Sequence, residues 1–161
     1  PAMVDDADLT RAIEAIRAQS ESHLGRREGM TWQRFEDETR QTVTDLVGVR
    51  RNEAGLKLAL QSLNALARRE PSLVAEDLHG LMRVHESKNI RMNAEIMATA
   101  SLARRETRTG SSHRRLDYPR TDEDNWRRFV VVQRGERGPE VRTLSTEQPL
   151  SDAFERSAAA A

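Results

Sequence analysis

The sequence predicts a mainly α fold: an antiparallel bundle of three or four helices, followed by an irregular loop and a small C-terminal β-hairpin. Three observations predict it. Up to Arg105, apolar residues recur at intervals of three and four, the spacing that lines one side of a helix. Residues that start and stop helices bracket these runs. After Arg105 the helical period is lost, and two short β-branched runs flank a turn containing glycine and proline. At 161 residues the chain fits one domain with a tail and can bury a real core.

Leu9, Ala12, Ile13 and Ile16 form the first stripe, and Asp5, Asp6 and Asp8 before it suit the positive end of a helix. After the polar segment GRREG, Thr31 caps a second helix carrying Trp32, Phe35, Val43, Leu46 and Val47. Gly48 is placed to end that helix in a left-handed conformation. The third stripe is continuous, running through Leu56, Ala59, Leu60, Leu63, Leu66 and Ala67 until Pro71 stops it. Ser72 then reads as the cap of a long run through Leu73, Leu78, Leu81 and Met82, with a bend near His85, and on through Ile90, Asn93, Ile96, Met97 and Ala100 to Arg105. Ala98, Ala100 and Ala103 allow close helix contact, and so few aromatics leave Leu, Ile, Met and Ala to fill the core. The runs at 129–132 and 141–144 form the hairpin. The expected organisation is therefore a helical bundle over 3–107, an arginine-rich loop packed on it over 108–128, a hairpin over 129–144 and a flexible tail over 145–161 with a short anchor at Leu150 and Phe154. Residues 1–2 read as a tag remnant.

Charge and residue usage exclude several functions. The 26 basic and 26 acidic residues cancel, so no overall field draws the chain to nucleic acid or an anionic membrane. The absence of cysteine removes disulfides, thiolate nucleophiles and the usual structural zinc sites, and fits a reducing cytoplasm. No signal peptide or membrane-spanning run is evident. His23, His79, His85 and His113 make no pair at i, i+4, and His85-Glu86 lacks the second histidine of a zincin, so no metal site is expected. GERG joins two strands rather than a strand and a helix, so it is not a dinucleotide loop. Ser111 and Ser112 lie near His113, but no oriented acid or nucleophile elbow surrounds them. No catalytic, cofactor-binding or metal-binding residue is assigned.

The stretch RRETRTGSSHRRLDYPRTDEDNW, residues 104–126, is the unusual one. Arginines outnumber carboxylates in it, which suits either an acidic partner or an exposed, salt-bridged loop. Glu106 and Arg108 sit where a helix meets the loop, so the arginine can bond backbone carbonyls while the glutamate fixes its fork. Neighbouring positive charge disfavours protonation of His113. Asp117-Tyr118-Pro119 forms a turn that lets the tyrosine ring bury, and Trp126 packs the loop back onto the bundle.

These residues carry a resemblance. Glu106, Thr107, Arg108, Gly110, His113, Arg115, Asp117, Tyr118, Pro119 and Trp126 resemble the signature of the succinate dehydrogenase and fumarate reductase flavoprotein family, which includes L-aspartate oxidase and the adenylylsulfate reductase α subunit. The spacing of Arg108 and His113 resembles the adenylylsulfate reductase branch. Upstream, LVGVRRNEAGLKLALQSLNAL and HESKNIRMNAEIMATASLARRETR are similar to the helices that precede that signature. The resemblance implies a C-terminal helical domain, a bundle like a three-helix spectrin repeat, in an FAD-dependent oxidoreductase. It implies FAD in the parent flavoprotein and none in this chain, with no catalysis by the domain alone. It further implies packing on flavin and capping domains of the same or a companion chain, and contact with an iron-sulfur electron-transfer partner. The Arg108 to Trp126 loop would be presented to these partners, with Glu106, Arg108, His113, Arg115, Asp117, Tyr118 and Trp126 as the interface candidates. Localisation would be cytoplasmic, peripheral at the inner face of the membrane through partners only. The alternative is a free-standing helical module whose arginine-rich loop binds an acidic protein surface or a nucleic-acid backbone, the latter disfavoured by neutral charge and few aromatics; such contacts would weaken with salt, whereas apolar docking would not.

Overall fold

The computed structural model describes residues 5–109, 112–136 and 138–147. Its helices are α1 (Asp6–Glu21), α2 (Trp32–Thr42), α3 (Glu53–Arg69), α4 (Leu78–Ala103) and the single turn α5 (Glu123–Trp126). Short parallel pairs tie the loops together: β1 (Met30–Thr31) with β3 (Leu73–Val74), and β2 (Arg50–Arg51) with β4 (Arg114–Arg115). An antiparallel hairpin, β5 (Arg128–Gly135) and β6 (Gly138–Ser145), closes the described chain and touches α4.

The core lies between α2, α3 and α4, because each presents one apolar stripe. Phe35 and Val47 come from the α2 side, Leu56, Ala59, Leu63 and Leu66 from α3, and Leu81, Val84, Ala94 and Ala98 from α4. Burial on α4 follows 81, 84, 87, 91, 94, 98 and 101, the alternating steps of three and four that keep one helix face inward. A side-chain cap starts each helix: Asp5 for α1, Thr31 for α2, Asn52 for α3, Asp77 for α4 and Asp122 for α5. The long fourth helix therefore starts at Leu78 from Asp77, not from Ser72. Ser72 closes a 3-10 turn, Glu70–Ser72, that holds Pro71, and Leu73 is spent on the β1–β3 pair. Gly48 also departs from expectation. α2 ends in a π-helical turn, Val43–Val47, that drives Val47 into the core, and Gly48 is extended at φ −53°, ψ −178° because the chain runs straight into β2.

α1 forms as expected, yet none of its residues is buried, and Leu9, Ile13 and Ile16 remain 50%, 56% and 64% exposed. Its apolar stripe has no partner in the described chain. The segment after α1 is nevertheless fixed: Gly25 N–H donates to the Ala75 carbonyl and Ala75 N–H to the His23 carbonyl, at 2.8 and 2.9 Å. Gly29, at φ +151°, lets β1 approach β3, since a Cβ there would collide with the Ser72 carbonyl oxygen and the Val74 side chain. The expected anchor at Leu150 and Phe154 lies outside the described residues.

Candidate functional site

The unusual stretch folds into a knot around the C-terminus of α4. That helix leaves carbonyls with no intrahelical donor, and the sequence beyond it supplies one. Arg115 is fully buried; its Nη1 donates to the carbonyls of Ser101, Leu102 and Arg104 at 2.8, 3.2 and 2.9 Å. Its Nε and Nη2 form a fork on Asp117 at 2.8 Å each, and its guanidinium lies 5.0 Å from the Tyr118 ring centre. Asp117 Oδ2 also accepts from Glu53 N–H at 2.8 Å, the first amide of α3. One ion pair thus places a cation at the end of α4 and an anion at the start of α3, each matched to the helix dipole it meets. The hydrogen bonds from Arg115 hold the Asp117 carboxyl down at about 2, against the opposing effect of desolvation.

Glu106 is the second hub. Fully buried, it accepts from Arg104 Nη1 at 2.5 Å, Arg108 Nε at 2.6 Å, Arg108 Nη2 at 3.1 Å and the Asp122 amide at 3.0 Å. Burial alone would raise its pKa, but the hydrogen bonds from Arg108, Asp122 and Arg104 outweigh burial and hold it below the ordinary glutamate value. The Glu106 hydrogen bond raises the pKa of Arg108, which also reaches Glu123 at 3.0 Å. Arg104 continues the chain of contacts to the Trp126 and Arg128 carbonyls at 3.0 and 2.7 Å, with its guanidinium 5.7 Å from the Trp126 ring centre. Trp126 lines one cleft together with Thr99, Leu102 and Ala103 of α4.

The sequence-predicted residues Glu106, Arg108, Arg115, Asp117, Tyr118 and Trp126 converge on this helix end. The division of labour differs from expectation. Arg115 bonds the helix carbonyls with Asp117 fixing its fork, while Arg108 and Glu106 bind one another and α5. Arg104, Arg108 and Arg115 spend their guanidiniums inside the molecule, leaving Arg105, Arg114 and Arg120 exposed. His113 sits at the rim of a cleft of about 280 Å³ lined with Ser101, Arg104, Arg108 and Val130. Its protonation is disfavoured first by burial and next by Arg51, so the positive-charge argument gave the direction but not the main cause.

Two residues outside the candidate set also take part. Arg51 crosses from β2 to the Ser101 hydroxyl and the Ser112 carbonyl, at 2.5 and 2.9 Å. Its signal was its place in the Gly-Val-x-Arg turn of residues 48–51. Thr107 Oγ1 accepts from the Arg115 amide at 3.0 Å and lies 3.1 and 2.9 Å from the Arg115 and Tyr118 carbonyls, closing the loop on itself. The described residues offer no cradle for a dinucleotide: their parallel pairs are two residues long, and none carries a Gly-x-Gly-x-x-Gly turn into a helix. No group of three or more metal-ligating side chains assembles among them.

Comparisons with known proteins follow the same pattern. Residues 36–155 match the family described as fumarate reductase flavoprotein C-term. A curated relative, an uncharacterized FAD-dependent oxidoreductase of Methanocaldococcus jannaschii, is 30% identical over 97 residues, which is 60% of this chain and 17% of that protein. Adenylylsulfate reductase from Archaeoglobus fulgidus is similar in fold, with TM-score 0.81 and 21% identity over 92% of this chain and 26% of that one. The Mycobacterium smegmatis Sdh1 complex gives TM-score 0.71 and 28% identity over 86% of this chain and 24% of that one. The chain thus spans about a quarter or less of the length of these relatives.

Proposed function

Because the chain belongs to the fumarate reductase flavoprotein C-terminal family, we propose that it serves as the C-terminal helical domain of an FAD-dependent oxidoreductase, bracing the flavin domains and meeting an electron-transfer partner. The observation that carries this reading is the inward use of the signature. Arg115 and Asp117 lock the end of α4 to the start of α3, and Glu106 locks the loop to α5, so the loop has the build of a rigid structural element and not of a reactive centre. Rigidity of this kind is what a bracing domain needs to hold neighbouring domains in register. The exposed stripe of α1 supports docking on an apolar surface of the parent protein.

FAD, where the parent binds it, supplies the electron-transfer chemistry. The residues of this chain hold no flavin in this reading; they keep the bundle and loop in one shape. No described helix is long and apolar enough to cross a membrane, and the proposed placement is cytoplasmic, with any membrane contact made through partners. An antibody against the chain, used to blot extracts of the source cells, tests the reading. A band several times heavier, or a band of the chain's own size that co-purifies with a yellow flavoprotein, is expected. A band of the chain's own size with only colourless partners would overturn it.

A further inference from the structure

The segment between α1 and β1 carries the most buried histidine of the molecule, His23, where the chain after α1 meets the bundle. His23 is 4% exposed, and its Nδ1 lies 3.0 Å from the Leu73 carbonyl. Its own carbonyl accepts from Ala75 N–H at 2.9 Å, and Gly25 N–H donates to Ala75 at 2.8 Å, so ring and backbone grip the same short segment, 73–75. The ring meets His85 of α4 edge to face, with centroids 6.3 Å apart and planes at 75°. The charged groups acting on it are Lys88 of α4 and Arg26 of its own segment, together with titratable His85; the 73–75 segment presents a carbonyl. α1 buries no residue of its own, so the segment that follows it carries the attachment, where Arg26 Nη1 adds a bond to the Pro71 carbonyl at 2.5 Å.

We propose that His23, packed against His85, is an acid-operated latch that fastens the α1 segment to the bundle at neutral pH and releases it when the imidazole is charged. A charge on the ring would be buried beside Lys88 and Arg26. Burial first, then these neighbours, push its pKa below the ordinary histidine value, while the Leu73 carbonyl opposes the shift. The sign follows. The latched state binds the proton less well than the released state, so latching is intact above the ordinary histidine value and weakens as pH falls from there towards the lower, latched value. A second consequence concerns α1, whose exposed stripe would be freed to reorient without loss of the α2–α3–α4 core.

Amide hydrogen exchange of the 161-residue chain between pH 7.5 and 5 tests the latch, with rates corrected for intrinsic pH dependence. Protection at Gly25 and Ala75 is expected to fall by roughly tenfold per pH unit over part of that range, while Leu63 in α3 stays protected. His23→Asn, whose side-chain amide can still donate to Leu73 but does not titrate, should make the protection at Gly25 and Ala75 independent of pH. Should that variant lose the grip altogether, the His23 ring proton followed by NMR in the unaltered chain decides: its titration must track the loss of protection. Protection at Gly25 and Ala75 that is constant with pH, or that falls together with Leu63, would overturn the proposal.

Discussion

Replacing Arg115 with methionine removes the guanidinium while keeping most of the volume of its stem. Three carbonyls at the end of α4 lose a donor, those of Ser101, Leu102 and Arg104, and the Asp117 carboxylate loses both bonds of its fork. Removing one partner of a buried ion pair costs about 3–5 kcal/mol. The lower end applies, because the Asp117 side chain is 28% exposed and can turn to water, whereas the Arg115 side chain has no exposure at all. We therefore expect a loss of about 3 kcal/mol, or a midpoint lower by about 1.5 M in urea for an m-value of about 2 kcal/mol/M. Trp126, beside the knot, and Trp32, on the far side of the bundle, report the unfolding by fluorescence. Arg114→Met serves as the control, since Arg114 is exposed and surface changes stay within about 0.5 kcal/mol. If Arg115→Met costs no more than Arg114→Met, the knot is not what holds α3 to α4.

Asp117→Asn should flatten the acid limb of stability: the carboxyl is held at about 2 against an ordinary 3.8, so its contribution is full above the ordinary value and is lost as pH falls through about 2. After discounting for screening at a partly exposed site, that contribution is about 1 kcal/mol, read as the difference between acid titrations of the two proteins. Glu106→Gln leaves Arg104 and Arg108 facing a neutral acceptor in a dry site and should cost about 2–4 kcal/mol by thermal melting. Gly29→Ala is expected to destabilise by about 1–3 kcal/mol, since it combines a positive φ with a collision at the Ser72 carbonyl; circular dichroism melts check it. Ile13→Ser in α1 should leave chain stability within about 0.5 kcal/mol while weakening any docking to flavin domains, because the side chain is already 56% exposed.

The helices were legible because each stripe buried on α2, α3 and α4 repeats with helical spacing, and the hairpin because its β-branched runs flank a turn. The start of α4 was misread for a definite reason. Ser72 and Asp77 are both good caps, and only the pairing of Leu73–Val74 with Met30–Thr31, across some forty residues of sequence, decides between them. α1 misled in the opposite way: its periodicity is real, but periodicity reports a face that can be buried and does not say against what. The partner of Arg51 and the His23–His85 contact were invisible because each joins residues fifty or more positions apart, as the Arg51 to Ser101 bond and the ring contact show.

The loop residues raise a sharper point. Arginine, histidine, aspartate and tyrosine close together in sequence invite a chemical reading, and the lowered Asp117 and His113 values would ordinarily strengthen it. Geometry reverses that inference. Arg115, Glu106 and Asp117 each meet a structural demand: a flat fork reaching three carbonyls and a carboxylate, an acceptor serving two arginines and an amide, a short anion at a helix start. Lysine at 115 could not make the fork and the carbonyl contacts together, and glutamate at 117 would place its carboxylate one methylene too far from the Glu53 amide. The lowered Asp117 and Glu106 values here measure how firmly two helix ends are tied.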